Sequence, residues 1–80
     1  MAHTIQRLPA VRSDSGLSRS TIYLRIADGL WPRPVRLGAR AVGWPSSEVT
    51  AMIGARIAGK TDEEIRQLVR ALETARKSAA

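Results

Sequence analysis

Gly16-Leu17-Ser18-Arg19-Ser20-Thr21-Ile22-Tyr23-Leu24-Arg25-Ile26-Ala27-Asp28 reads as a tight turn feeding a short helix. Gly16 can take the left-handed turn conformation without a Cβ clash, Leu17 gives the turn an apolar anchor, and Ser18 can accept from the free amides of the first helical turn. On a 3.6-residue wheel Ile22 and Ile26 fall on one face, to pack against Val11 and Leu17, while Ser20, Thr21, Tyr23, Leu24 and Ala27 point away. The outward face is polar and basic, as suits a helix that enters a DNA groove.

Working outward, Leu8-Pro9 precedes a short polar run, and proline at a first helical position predicts a helix over 9–15 that Gly16 ends. The two helices are then joined by three residues, the length of a helix-turn-helix connection. Gly29 stops the second helix near Asp28. Trp31-Pro32-Arg33-Pro34 cannot be helical, and Val35-Arg36-Leu37, a turn at Gly38-Ala39 and Arg40-Ala41-Val42-Gly43-Trp44 read as a small β-hairpin with Arg40 at its tip. After Pro45, Ser46 or Ser47 is placed to cap a third helix whose buried face would hold Val49, Met52, Ile53, Arg56 and Ile57, closed by Gly59. Thr61 with Glu64 three positions later is a capping-box pattern, so a fourth helix should run from Asp62 to about Lys77 with Ile65, Leu68, Val69, Leu72 and Ala75 in one stripe.

The expected architecture is mostly α with a small β-hairpin, a winged helix-turn-helix followed by a C-terminal helix. Residues 1–7 read as a flexible arm, 8–60 as the DNA-binding domain and 61–80 as an amphipathic helix. That last helix could cover the core, wait for another protein, or pair with a second copy, in which case Ile65, Leu68, Val69 and Leu72 are the dimerisation candidates.

Net charge is +6 over 80 residues, with a pI near 11.4. Residues 1–60 hold nine cations against three acids, which is the whole excess, and residues 61–80 carry four of each sign. Eleven of the thirteen cations are arginine, whose planar fork suits phosphates and guanine edges. Such a charge also serves plain solubility, so its clustering matters more than its size.

With no cysteine and one histidine, His3, there is neither a disulfide framework nor a credible metal site. No glycine loop cradles a phosphate, and the acids sit at capping and surface positions, so no nucleophile and base can be assembled. Neither enzyme activity nor a cofactor is expected. The apolar runs are far short of a membrane span and the first residues lack a signal-peptide core, so a cytoplasmic location is expected.

Several blocks, taken in order, resemble the AlpA-type phage regulatory proteins, which are similar in fold to excisionases and to the DNA-binding domain of MerR-type regulators. They are Leu8-Pro9 with Val11, the run from Gly16 to Tyr23, the run from Gly29 to Gly38, Arg40-Ala41-Val42-Gly43-Trp44, and the helix from Ser47-Glu48-Val49. The likeness covers residues 5–58 and implies a small sequence-specific DNA-binding regulator of prophage or mobile-element genes. It departs in one place. Family members commonly follow the tyrosine with a basic residue and then an apolar one, whereas Leu24 here precedes Arg25. The order turns leucine outward, where it can meet a thymine methyl, and sets Arg25 at the edge of the packed face, from which its head can reach a phosphate. Which of the two meets bases is left open.

Arg19, Thr21 and Tyr23 are the expected groove contacts. Ser18 is first a cap, although its hydroxyl and that of Ser20 can join the first-turn amides on a phosphate. Arg36 and Arg40 would place the hairpin on the strand alongside. Trp31 and Trp44 are read as packing residues. The partner is double-stranded DNA, with a homodimer or cooperative oligomer, an integrase or RNA polymerase as further candidates. Two other roles stay open: an excisionase-like factor that bends DNA for recombination, and a protein-interaction adaptor working through the last helix.

Overall fold

The computed structural model describes residues 3–78, and what is expected of residues 1, 2, 79 and 80 lies outside them. Four helices pack with a small three-stranded antiparallel sheet in the order β1-β3-β2. The elements are β1 (Ile5–Gln6), α1 (Leu8–Ser15), α2 (Arg19–Ala27), β2 (Val35–Arg36), β3 (Val42–Pro45), α3 (Ser46–Ile57) and α4 (Asp62–Ala75), with a final 3₁₀ turn over Arg76–Ser78. The arrangement of α1 and α2 is compatible with a helix-turn-helix.

Local chemistry explains the helix boundaries. Pro9 sits in the first turn of α1, and Gly16 ends it at φ 73° with its N–H on the Arg12 carbonyl. Gly29 and Gly59 take φ 76° and close α2 and α3 in the same way. The amide one residue further on reaches back five positions in each, Leu30 to Arg25 O at 2.8 Å and Lys60 to Ala55 O at 3.1 Å, the Schellman closure that glycine permits. Thr61 and Glu64 form the complete capping box at the start of α4. By contrast, neither Ser46 nor Ser47 caps α3. The N-cap is Pro45, without a side-chain cap bond, because β3 runs directly into the helix and the Ser46 N–H is taken by the Thr4 carbonyl at 2.7 Å.

That bond belongs to a strand absent from the expected arm. Ile5 pairs with Pro45 and Gln6 with Trp44, so residues 5 and 6 are sheet, and the four helices accompany three strands where a two-stranded hairpin was expected. The sheet can accept β1 because position 43 is glycine. A Cβ there would lie 2.6 Å from Ile5 Cγ2, 2.9 Å from the Gln6 carbonyl oxygen and 3.2 Å from Leu37 Cδ1. Gly43→Ala is therefore expected to displace β1 and cost about 1–3 kcal/mol, seen as a lower melting temperature and loss of exchange protection at the Ser46 amide. The hairpin is also shorter than expected. Its strands pair Val35 with Gly43 and Arg36 with Val42, and Arg40 lies in the turn, not on the returning strand.

The core holds Val11, Ile22, Trp31, Trp44, Val49, Met52, Ala55, Ile65 and Val69, with Leu8, Leu17, Ile26, Leu30, Ile53, Leu68 and Leu72 packed partly buried against it. Both tryptophans are interior, and the Trp44 indole N–H donates to the Pro32 carbonyl at 2.8 Å, tying β3 to the segment before β2. Ile57, expected inside, is the last residue of α3 and is 82% exposed. Of the dimerisation candidates, Ile65 and Val69 are interior, and Leu68 and Leu72 lie partly buried against the same core.

Arg66, Glu73 and Arg76 tie α4 and the turn after it to the end of α2 and to the segments flanking the hairpin. Arg66 Nε donates to the Asp28 carbonyl at the end of α2 at 3.0 Å, where a cation also suits the helix dipole. Arg76 forks onto the buried Glu48 carboxylate at 2.6 and 2.8 Å and reaches the Arg33 carbonyl at 2.7 Å, while Glu73 accepts the Arg33 N–H at 2.8 Å. The residues on either side of the hairpin, 33 and 48, are thereby held by one guanidinium.

The capping box carries a pH signature. The Thr61 backbone N–H and then its hydroxyl hold the Glu64 carboxyl below its ordinary value, with a smaller contribution from Lys60. A depressed carboxylate contributes stability that is present above its unfolded pKa and is lost as pH falls through its lower folded value. Glu64→Gln keeps an acceptor for the box, so it is expected to preserve α4 at neutral pH and flatten the loss of thermal stability below pH 5, read by circular dichroism melts.

Candidate nucleic-acid interface

Helix α2 is attached to the domain along a narrow line. Ile22 is its one fully buried residue, Ile26 packs partly against the core, and most of the remaining surface faces outward. Its start is built by Ser18, whose Oγ accepts the Thr21 N–H at 3.2 Å, donates to Thr21 Oγ1 at 2.9 Å and lies 3.2 Å from Ser20 Oγ. Ser18 is thus the expected cap, and the three hydroxyls form one small network on an exposed helix end. Ser15, which the sequence reading passed over, accepts the Leu17 N–H through its hydroxyl at 3.2 Å and braces the three-residue turn.

The other candidates on α2 fall into two flanks and a crest. On one flank the Arg19 guanidinium stands over the Tyr23 ring, 5.6 Å from its centroid, a cation–π contact that presets the direction of the arginine. On the other flank Arg25 is half-buried beside a cleft lined by Leu17, Trp31, Met52 and Ile53, so its stem lies on apolar surface with the charge at the rim. Leu24 is on the crest, 63% exposed. The structure thus places leucine outward and arginine at the edge of the packed face.

Arg36 is exposed on β2 and Arg40 in the hairpin turn. The turn is closed by the Leu37 and Gly38 amides, both donating to the Ala41 carbonyl, at 2.8 and 3.3 Å. Among the described residues no hydrogen bond or ion pair joins Arg36 or Arg40 to α2.

Charge pairing divides the chain. Arg56, Arg70 and Arg76 form ion pairs with Asp62, Glu63 and Glu48, and Arg66 is engaged at the end of α2. Among the described residues the seven arginines between positions 7 and 40 form no ion pair. Asp14, one of two acids in that stretch, accepts instead from the Gln6 amide at 2.6 Å. Arg7, Arg12 and Arg33 thus join Arg19, Arg25, Arg36 and Arg40 as unneutralised cations. The sequence reading missed them as candidates, although the shortage of acids before residue 48 was visible. Such a field draws polyanions and raises their rate of encounter.

No helix among the described residues is long and apolar enough to cross a membrane. The model of the family described as Prophage CP4-57 regulatory protein (AlpA) matches residues 4–57. The chain is also similar to an uncharacterised protein, ORF88, of Enterobacteria phage P4, with 52% identity over 54 residues that make up 68% of this chain and 61% of the phage protein. The match therefore spans about three-fifths of that relative's length. No solved structure matches.

Proposed function

Because the chain belongs to the AlpA family of prophage regulatory proteins, we propose that it regulates phage, prophage or mobile-element genes by binding double-stranded DNA in a sequence-specific way. Helix α2 enters the major groove, and the β2–β3 hairpin lies beside it as a wing on the adjoining phosphates.

The observation that carries this reading is that among the described residues the seven arginines between positions 7 and 40, four of them on α2 and the hairpin, form no ion pair, while the cations of α3 and α4 are largely neutralised within the fold. A helix held from behind by Ile22 and Ile26 presents its opposite side to a groove wide enough for a helix. Arg19, Thr21 and Tyr23 flank that side, the Ser18–Ser20 hydroxyls and first-turn amides meet a phosphate, and Arg25, Arg36 and Arg40 take phosphates on either hand. The apolar stripe of α4 is used inside the chain, so two reading heads on one site would have to associate through another surface.

Selection of bound duplexes from a random pool at physiological salt tests the reading. An enriched motif, with log affinity falling against log salt by about 0.9 per phosphate neutralised, is the expected result. A pool that stays random, or affinity indifferent to salt, contradicts it. Strong bending of the enriched duplex would assign the protein to recombination architecture instead of promoter control.

A further inference from the structure

Leu24 occupies a singular position on α2. At about 100° per residue, it stands two residues from each of the two inward side chains, Ile22 and Ile26, and so projects almost directly away from the core. Its 63% exposure agrees with that geometry. The side chains beside it are short: Ser20 and Ala27 on one side, Thr21 and the exposed Asp28 that ends the helix on the other. The two hydroxyls among them are already engaged in the Ser18 network. The long donors stand on the flanks, Arg19 over the Tyr23 ring and Arg25 half-buried beside the cleft of Leu17 and Trp31.

The centre of the groove-facing surface therefore carries no amide or guanidinium able to grip a purine edge with two hydrogen bonds. It carries a branched apolar group. On the major-groove edges of the four base pairs the one apolar group is the C5 methyl of thymine. Resting on the reading of α2 as the groove helix, we infer that Leu24 is a specificity-determining residue that selects thymine by contact with its 5-methyl group. Arginines on the flanks supply affinity, and leucine supplies the choice of the base that faces the middle of the helix. A cytosine in that place presents no methyl and loses the contact.

The test uses a duplex enriched from the random pool, with each thymine replaced singly by deoxyuridine, which pairs identically and lacks only the methyl. Burying one methyl predicts that at one or two positions the replacement weakens the full-length protein about three- to fivefold. Leu24→Ala should bind the thymine and uracil duplexes equally. Leu24→Gln, a second variant at the same exposed site, should lose the thymine preference while melting at the wild-type temperature.

The inference is overturned if uracil costs nothing at any position, or costs wild type and Leu24→Ala the same. It is overturned equally if Leu24→Ala abolishes a concentration-dependent dimer while uracil has no effect, which would make the leucine a self-association contact. Arg19→Glu separates this failure from that of the underlying reading. If Arg19→Glu weakens binding and the uracil series is flat, duplex recognition stands and the role of Leu24 falls; if no duplex is enriched, both fall.

Discussion

Trp44→Ala is expected to leave little folded protein at 37 °C. A domain of this size holds about 4–12 kcal/mol of net stability, and removal of a fully interior indole costs about 3–5 kcal/mol through lost burial and the cavity left behind. Trp44 is fully buried, and its N–H satisfies the Pro32 carbonyl across the sheet edge, so alanine also strands a buried acceptor. Trp31 supplies the control. It is just as interior, but its indole N–H meets no protein acceptor among the described residues. Trp31→Phe should therefore cost less than Trp44→Phe, by about 1–2 kcal/mol. Chemical denaturation followed by circular dichroism measures both differences. Equal losses for the two phenylalanine variants would show that the Trp44 bond does not contribute.

The second large effect concerns affinity. Arg19→Glu is expected to weaken binding to an enriched duplex about 100-fold at physiological salt, since it removes a favourable charge and places a carboxylate against phosphate. Arg40→Ala, which removes a contact without adding repulsion, should weaken binding about tenfold and lower the salt slope by about one phosphate. Arg70→Ala is the matched control. Its partner Glu63 lies 3.8 Å away on the surface of α4, and its loss should leave duplex affinity within about twofold, as for an exposed pair remote from the groove helix. A gel-shift titration in which all three variants behave alike would remove the distinction between paired and unpaired cations.

Much of this molecule was legible because its signals are local. Gly16, Gly29 and Gly59 mark helix ends by backbone conformation alone, and Ser18 and the Thr61–Glu64 pair mark helix starts by hydrogen bonds spanning three residues. The burial of Ile22 and the exposure of Leu24 follow from periodicity. What was not legible depends on partners distant in the chain. A two-residue strand has no alternation to detect, so β1 becomes visible only through its pairing with β3 and the space left by Gly43. The Arg76–Glu48 pair joins residues 28 positions apart.

The stripe on α4 was recognised as apolar, yet periodicity does not say whether such a face meets its own core or a second copy. The fold puts Ile65 and Val69 of that stripe against the chain's own core. Ile57 failed for a related reason, because the stripe of α3 was extended to the last residue of the helix, which the fold leaves exposed. The candidate site is the reverse case. Its residue types and outward direction came from the α2 pattern, whereas the separation of paired from unpaired arginines needed the fold.

The central claim is that residues 18–28 lie in a duplex groove with the hairpin turn on the neighbouring backbone. The most direct measurement is an amide-resonance titration of isotope-labelled protein with an enriched duplex. The account predicts the largest shifts at residues 18–28 and 36–41, with the amides of α4 nearly still. Shifts concentrated on α4, with those of α2 unmoved, would contradict it.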